Sequence, residues 1–388
     1  MPLVDALRPE ARSVPASGII AVADHARGRQ GLIPLWVGEG DRQTPDFITN
    51  AAAASLQEGH TFYTWQGGIP PLLEALSRYH QRTFNKSCEP GEFIVTGGSM
   101  QAIQLAIQAV GGAGDEIIYF SPAWPNFPAA FGVAGGRPVP VSLSFSDNGW
   151  SLDLDQVEAA IGSKTKAIFV NTPANPTGWR ADRETLQALL DLARRHGLWI
   201  IADEIYTRFY YEGGRAPSFF DIADDEDRII YVNSFSKNWA MTGWRVGWIR
   251  VNPSLKPTFD NLVQYSTSGV AEFMQRGAIA ALDEGDGFIS EQVERARKAR
   301  DLLCTTLLET GRVRLSPPPG AFYLFFAVDG VANAHEGAID LVDSTGIGLA
   351  PGTAFGPEGQ GFFRLCFNRR LDQIVEAAER IAGWIKAR

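Results

Sequence analysis

The stretch SFSKNWAMTGWR, residues 234–245, sets one lysine, Lys237, among small and bulky apolar residues that look ready for burial. A buried ammonium is costly unless it is paired, neutralised or committed to a reaction. A lysine held near apolar groups and other cations loses proton affinity and becomes a nucleophilic amine. Arg245, eight residues on, can fork onto a phosphate, and Ser234 can add a hydroxyl donor. The bland alternative is a lysine that snorkels to solvent.

Other segments supply parts that fit such an amine. ADEIY (202–206) puts Asp203 at the end of an apolar run, where a carboxylate is costly to desolvate without a cationic partner; taken alone, it reads first as a helix N-cap. GGSM (97–100) sits between a strand pattern and a helix pattern. Backbone N–H groups at a helix start bind anions, although a tight strand–helix turn explains the glycines as well. NTPANPTG (171–178) follows another strand pattern and would set Asn175 in the crevice where α/β sheets bind ligands, or else form only a turn. Neither GxGxxG nor GxxxxGK[ST] occurs at GGSM, so nicotinamide and P-loop readings lack their fingerprints there. Pyridoxal phosphate needs this set: a lysine for a Schiff base, an acid against its pyridine nitrogen, a phosphate cup and a donor on its ring oxygen.

The elements that must carry these residues follow from periodicity. Short runs rich in β-branched and aromatic residues predict strands at 92–98, 115–122, 166–171, 197–204, 228–234 and 245–251. Between them, SMQAIQLAIQAV (99–110) and ETLQALLDLARRHG (184–197) carry helical spacing, the latter ending on a glycine stop. Such alternation predicts a mostly parallel sheet covered by helices on both faces. From about residue 285 the texture changes to a long charged helix and a second strand–helix mixture. The expected division is an arm at 1–35, a large domain at 36–284 and a smaller C-terminal α/β domain at 285–388.

The bulk numbers agree with a two-domain globular chain: 388 residues, 45% hydrophobic, 20% charged, against roughly 100–200 residues per domain. A net charge of −9 argues against nucleic acid or an anionic membrane as partner. Three widely spaced cysteines and five scattered histidines suggest neither disulfides nor a metal site. No signal pattern opens the sequence and no apolar run reaches the ~18–20 residues that cross a bilayer, so a cytoplasmic protein is expected.

SFSKNWAMTGWR, ADEIY and N-P-x-N-P-T-G together resemble the aspartate aminotransferase family, the fold-type I pyridoxal-phosphate enzymes, over the span from GEGDRQTPDF near residue 38 to FFRLCF near residue 367. The resemblance implies a mostly parallel seven-stranded sheet in the large domain and a homodimer with shared active sites. It implies that Lys237 forms the Schiff base and then moves the proton at the substrate α-carbon. Asp203 would hold the pyridine nitrogen protonated, and Tyr206 and Asn175 would bond the phenolic oxygen. Gly98, Ser99, Met100, Ser234 and Arg245 would bind the phosphate. Trp124 would stack on the ring, and Tyr63 would reach the phosphate of the neighbouring subunit. Arg364, in an otherwise apolar strand pattern, matches the arginine that clamps the substrate α-carboxylate, with Gly38 giving a backbone contact and Trp124 and Asn175 beside it; a structural salt bridge is the alternative for Arg364.

The chain departs from dicarboxylate-specific members. One subfamily has an arginine a few residues before the segment YSTSG, where this chain has Asn261, Leu262, Val263 and Gln264. Another has a lysine where Met100 stands. A neutral, bulky or aromatic amino donor is expected, in a pocket lined by Phe62, Trp65, Trp124 and Phe127, with ping-pong transfer to a 2-oxo acid. The rivals are β-elimination or decarboxylation with the same cofactor, a non-catalytic regulatory protein, and a nicotinamide dehydrogenase.

Overall fold

The computed structural model describes residues 3–388. Its centre is a seven-stranded sheet in the order Phe93–Thr96, Gly247–Arg250, Ile229–Ser234, Trp199–Asp203, Thr165–Asn171, Glu116–Ser121, Arg137–Ser142. Gly247–Arg250 runs antiparallel to both neighbours, and the other neighbouring pairs are parallel. Each of the six predicted runs contributes a strand. The seventh, Arg137–Ser142, was not predicted because Pro138 and Pro140 interrupt its pattern. It forms the sheet edge, where a residue without an N–H is tolerated.

Alternate strand residues enter different cores, as the two-residue period of a strand requires. Val95, Ile118, Ile168, Val170 and Ile200 pack with the helices Pro70–Phe84 and Arg183–His196. Ile94, Ile117, Ala167, Phe169 and Ile201 pack with Ser99–Val110 and Asn126–Val133. The helix Arg183–His196 starts on Asp182, whose carboxylate accepts from the Thr185 N–H at 2.8 Å, and stops on Gly197 at φ 66°.

A second, antiparallel sheet runs Val313–Arg314, Tyr323–Val328, Phe362–Cys366, Ala350–Pro351, with its own core against the helices Ala334–Thr345 and Leu371–Lys386. Arg364 lies opposite Phe325 and Ala350 in this sheet. The long charged helix spans Asp286–Leu308. The N-terminal strand Ile33–Pro34 pairs in parallel with Ile347–Gly348. Among the described residues no helix is long and apolar enough to cross a membrane, and no group of His, Cys, Asp and Glu is placed to hold a metal ion.

Candidate active site

A cavity of about 570 Å³ opens at the carboxyl ends of the parallel strands and is closed from the other side by Tyr323 and Arg364. Of the sequence-predicted residues it gathers Gly38, Ser99, Met100, Trp124, Asn175, Asp203, Tyr206, Lys237, Arg245 and Arg364.

The strand Ile229–Ser234 delivers Lys237 on the short helix that follows it. Ser234 caps a one-turn helix, Phe235–Asn238, by accepting from the Ser236 N–H at 3.1 Å. The Ser234 hydroxyl is buried and occupied by the cap and by Ser236, and Ser236 rather than Ser234 lines the cavity. The Lys237 Nζ donates to the Gly38 carbonyl at 2.7 Å. Burial is the main reason its ammonium falls to about 8 from the usual 10.5; the Cys366 thiol and Glu39 carboxylate oppose that shift, and Arg364 and Arg245 reinforce it.

Asp203 ends the strand Trp199–Asp203 and no helix follows, so it is no helix cap; among the described residues its carboxylate meets only the Ile205 N–H, at 3.5 Å. Burial pushes its carboxyl up to about 7, with that N–H and the Lys237 charge pulling the other way. Asn171, at the end of the adjacent strand, donates to the Asp203 carbonyl at 3.1 Å and accepts from the Asn175 N–H at 2.9 Å, which fixes the NPANP turn over the strand ends. The Asn175–Pro176 bond in that turn is cis. Tyr206 shares a 2.7 Å hydrogen bond with the Tyr323 hydroxyl, and burial together with that neighbour raises its phenol well above the ordinary value.

At the other end, the helix Ser99–Val110 starts with no side-chain cap, so its first N–H groups are free toward the cavity. Gly98 has φ 83°, and a Cβ there would lie 2.5 Å from the Arg245 guanidinium. Gln101 holds the turn by accepting from the Gly97 N–H and donating to Ser266 and Thr267, each at 2.8 Å.

Arg364 is 3% exposed. It donates to Asn175 Oδ1 at 3.0 Å and to the Trp36 carbonyl, and it lies between the Tyr323 and Phe355 rings at 4.8 and 4.7 Å. Its Nε is buried without a partner. Among the described residues Arg364 has no carboxylate partner: its hydrogen bonds go to an amide and a carbonyl.

The expectations for the pocket wall at Phe127, Phe62 and Trp65 are corrected. Phe127 stacks on Phe169 at 3.8 Å inside the core, because its helix turns that face to the sheet. Phe62 and Trp65 are 84% and 68% exposed and lie away from the cavity. Tyr63, whose expected place is the neighbouring subunit's site, is 94% exposed and lies outside the cavity of its own chain. The apolar wall consists instead of Trp36, Val37, Met100, Trp124 and, from the helix Gly18–His25, Ile19 and Ile20. Sequence reasoning missed Tyr323, Ser236, Asn171 and this helix. The residues around Tyr323, GAFYLFF, read as strand core, and nothing local marks a hydroxyl that will meet Tyr206.

The residues fit a phosphorylated pyridine aldehyde. An uncapped helix start and Arg245 form an anion cradle that a Cβ at position 98 would fill, an amine of lowered basicity stands in the middle, and a buried carboxyl stands at the floor.

The family described as aminotransferase class I and II matches residues 31–381. An aspartate aminotransferase from Thermotoga maritima superposes with a TM-score of 0.91 at 31% identity, over 98% of this chain and 100% of that one. An aromatic aminotransferase from Pyrococcus horikoshii gives 0.87 at 29% identity, over 94% and 99%. An arginine–pyruvate transaminase of Pseudomonas aeruginosa is 32% identical over 92% of this chain and 91% of its own length. On this match, which takes in nearly the whole sequence and both sheets, the chain belongs to the class I and II aminotransferases, the pyridoxal-phosphate-dependent transaminases of fold type I.

Proposed function

We propose that this transaminase moves an amino group from a neutral, bulky or aromatic L-amino acid to a 2-oxo acid by a ping-pong mechanism, both substrates using the one cavity in turn. The observation that carries the reading is the cavity's charge inventory. Its cations are Lys237, Arg245 and Arg364, and the rest of the wall around the space beside Arg364 is apolar or neutral. With Arg245 on the phosphate and Arg364 on the α-carboxylate, no lining cation among the described residues is left for a distal carboxylate.

Bound pyridoxal phosphate supplies an aldehyde that condenses with amines and a ring that takes up the electron pair left when the α-proton departs. The protein's residues do the rest. Arg245, Gly98 and the N–H groups from Ser99 onward hold the phosphate. Asp203 keeps a proton on the pyridine nitrogen, and Asn175 and Tyr206 face the ring oxygen. Trp124 covers the ring. Arg364 fixes the α-carboxylate, and with it the direction of the α-hydrogen. The Lys237 amine takes the proton at the α-carbon and returns it, close to neutrality in pH because burial lowers its basicity. Two copies of the chain would pair through the exposed Phe62, Tyr63, Trp65 and Tyr265, bringing Tyr63 to the partner's phosphate site.

The test adds one amino donor at a time to the cofactor-loaded protein. Stoichiometric conversion to the pyridoxamine absorbance with neutral, bulky or aromatic donors supports the reading; continuous release of ammonia and pyruvate would show elimination instead. Two further outcomes follow. Uptake of pyridoxal phosphate by the cofactor-free protein should quicken with pH about a midpoint near 8, where the Lys237 amine becomes neutral, and not near 10.5; stopped-flow absorbance reads this. Met100→Lys should raise kcat/KM for dicarboxylic oxo acids relative to neutral ones by roughly ten- to a hundredfold, the effect of one new charge-assisted bond of about 1.5–3 kcal/mol.

A further inference from the structure

The segment Trp36–Thr44 runs past the site and touches each of its cations or the turn that carries them. The Trp36 carbonyl accepts from Arg364, and the Gly38 carbonyl accepts from Lys237 at 2.7 Å. Glu39 Oε2 accepts from the Thr242 hydroxyl at 2.7 Å, and the Thr242 carbonyl in turn accepts from Arg245 Nη1 at 2.7 Å. Thr44 donates to the Ala240 carbonyl at 2.7 Å and accepts from Trp244 Nε1 at 3.0 Å.

The turn held in this way is strained. Ala240 and Arg245 both have φ 53°, in the left-handed region, without being glycine. Such residues persist only where the surroundings over-determine them. Arg245 is exposed, and the Thr242 carbonyl is the one hydrogen-bond acceptor of its guanidinium among the described residues. The Glu39 carboxylate forms no ion pair among those residues; its side-chain bond is to Thr242.

We propose that Glu39 is a positioning residue, which through Thr242 aims Arg245 at the phosphate and keeps that guanidinium in register with Lys237 and Arg364. This inference rests on the reading of Arg245 as the phosphate cation. A ligand without a phosphate should not sense the Glu39–Thr242–Arg245 chain, whereas one with a phosphate should. A merely structural role would weaken both alike.

The experiment measures dissociation constants of pyridoxal phosphate and of pyridoxal for cofactor-free wild type, Glu39→Ala, Thr242→Val, the double variant, and two rescues, Glu39→Gln and Thr242→Ser. Absorbance and tryptophan fluorescence provide the readout. Expected are a loss of about tenfold or more for pyridoxal phosphate in each alanine or valine variant and a change below about twofold for pyridoxal. The double variant should be no worse than either single, because both break one chain. The rescues should return to near wild type, since each keeps an acceptor or a hydroxyl at the same place. Equal loss for both ligands, additive losses, no loss, or rescues that behave like the full truncations would overturn the inference while leaving the transaminase reading intact. A wild type that takes up neither ligand would overturn both.

Discussion

Replacing Lys237 by alanine is expected to lower transamination roughly 10⁴-fold or more, the upper range for a positioned acid–base group, with loss of attachment added. Pyridoxal phosphate should still bind, held non-covalently by Arg245, the start of the helix Ser99–Val110 and Asp203. No other amine lines the cavity among the described residues, so no neighbour can substitute. The same variant makes a stability prediction of definite sign. The Lys237 ammonium titrates near 8 in the fold and at 10.5 when unfolded. Between those values the unfolded chain binds more protons, so this group's contribution to stability rises with pH across that window and is least favourable below 8. Cofactor-free Lys237→Ala should therefore be the more stable protein at pH 7, with its advantage over wild type shrinking as pH climbs from about 8 to 10.5. Thermal denaturation at a series of pH values measures this. An advantage that grew with pH would mean that burial does not disfavour the Lys237 ammonium.

The second large effect is expected at Arg364. Arg364→Leu should cut kcat/KM by roughly 10²- to 10⁴-fold, from the loss of two charge-assisted bonds worth about 1.5–3 kcal/mol each. The loss should be similar for every amino acid and oxo acid, because each carries the carboxylate that the guanidinium would clamp. The free protein should be hurt far less or be stabilised. Among the described residues this almost fully buried cation bonds to an amide and a carbonyl and to no carboxylate, and leucine removes its desolvation penalty. A selective loss of one substrate, or a large fall in Tm, would assign Arg364 to side-chain recognition or to the fold.

Much of the site was legible because strand–helix alternation forces strand ends, and whatever follows them, to one edge of the sheet. Asp203, Asn175, the helix start at Ser99 and Lys237 each follow an apolar run in the sequence and meet in one cavity. What escaped depends on information that is not local. The edge strand Arg137–Ser142 hides behind its prolines. Ser234 and Ser236 flank the same turn, and only the cap geometry decides which hydroxyl is used internally and which faces the cavity. Phe127 and Trp124 are three residues apart, yet the helix start at Asn126 sends one into the core and leaves the other at the wall. Tyr323 and the helix Gly18–His25 reach the cavity from chain far removed from SFSKNWAMTGWR, brought there by the second sheet and by the pairing of Ile33–Pro34 with Ile347–Gly348.

One amine, Lys237, is expected to carry the cofactor. Borohydride reduction of the cofactor-loaded protein, followed by proteolysis and mass spectrometry, locates that bond. A single pyridoxyl label is expected, on the peptide that contains SFSKNWAMTGWR. A label on any other lysine, or no label on a protein that remains active, would contradict it.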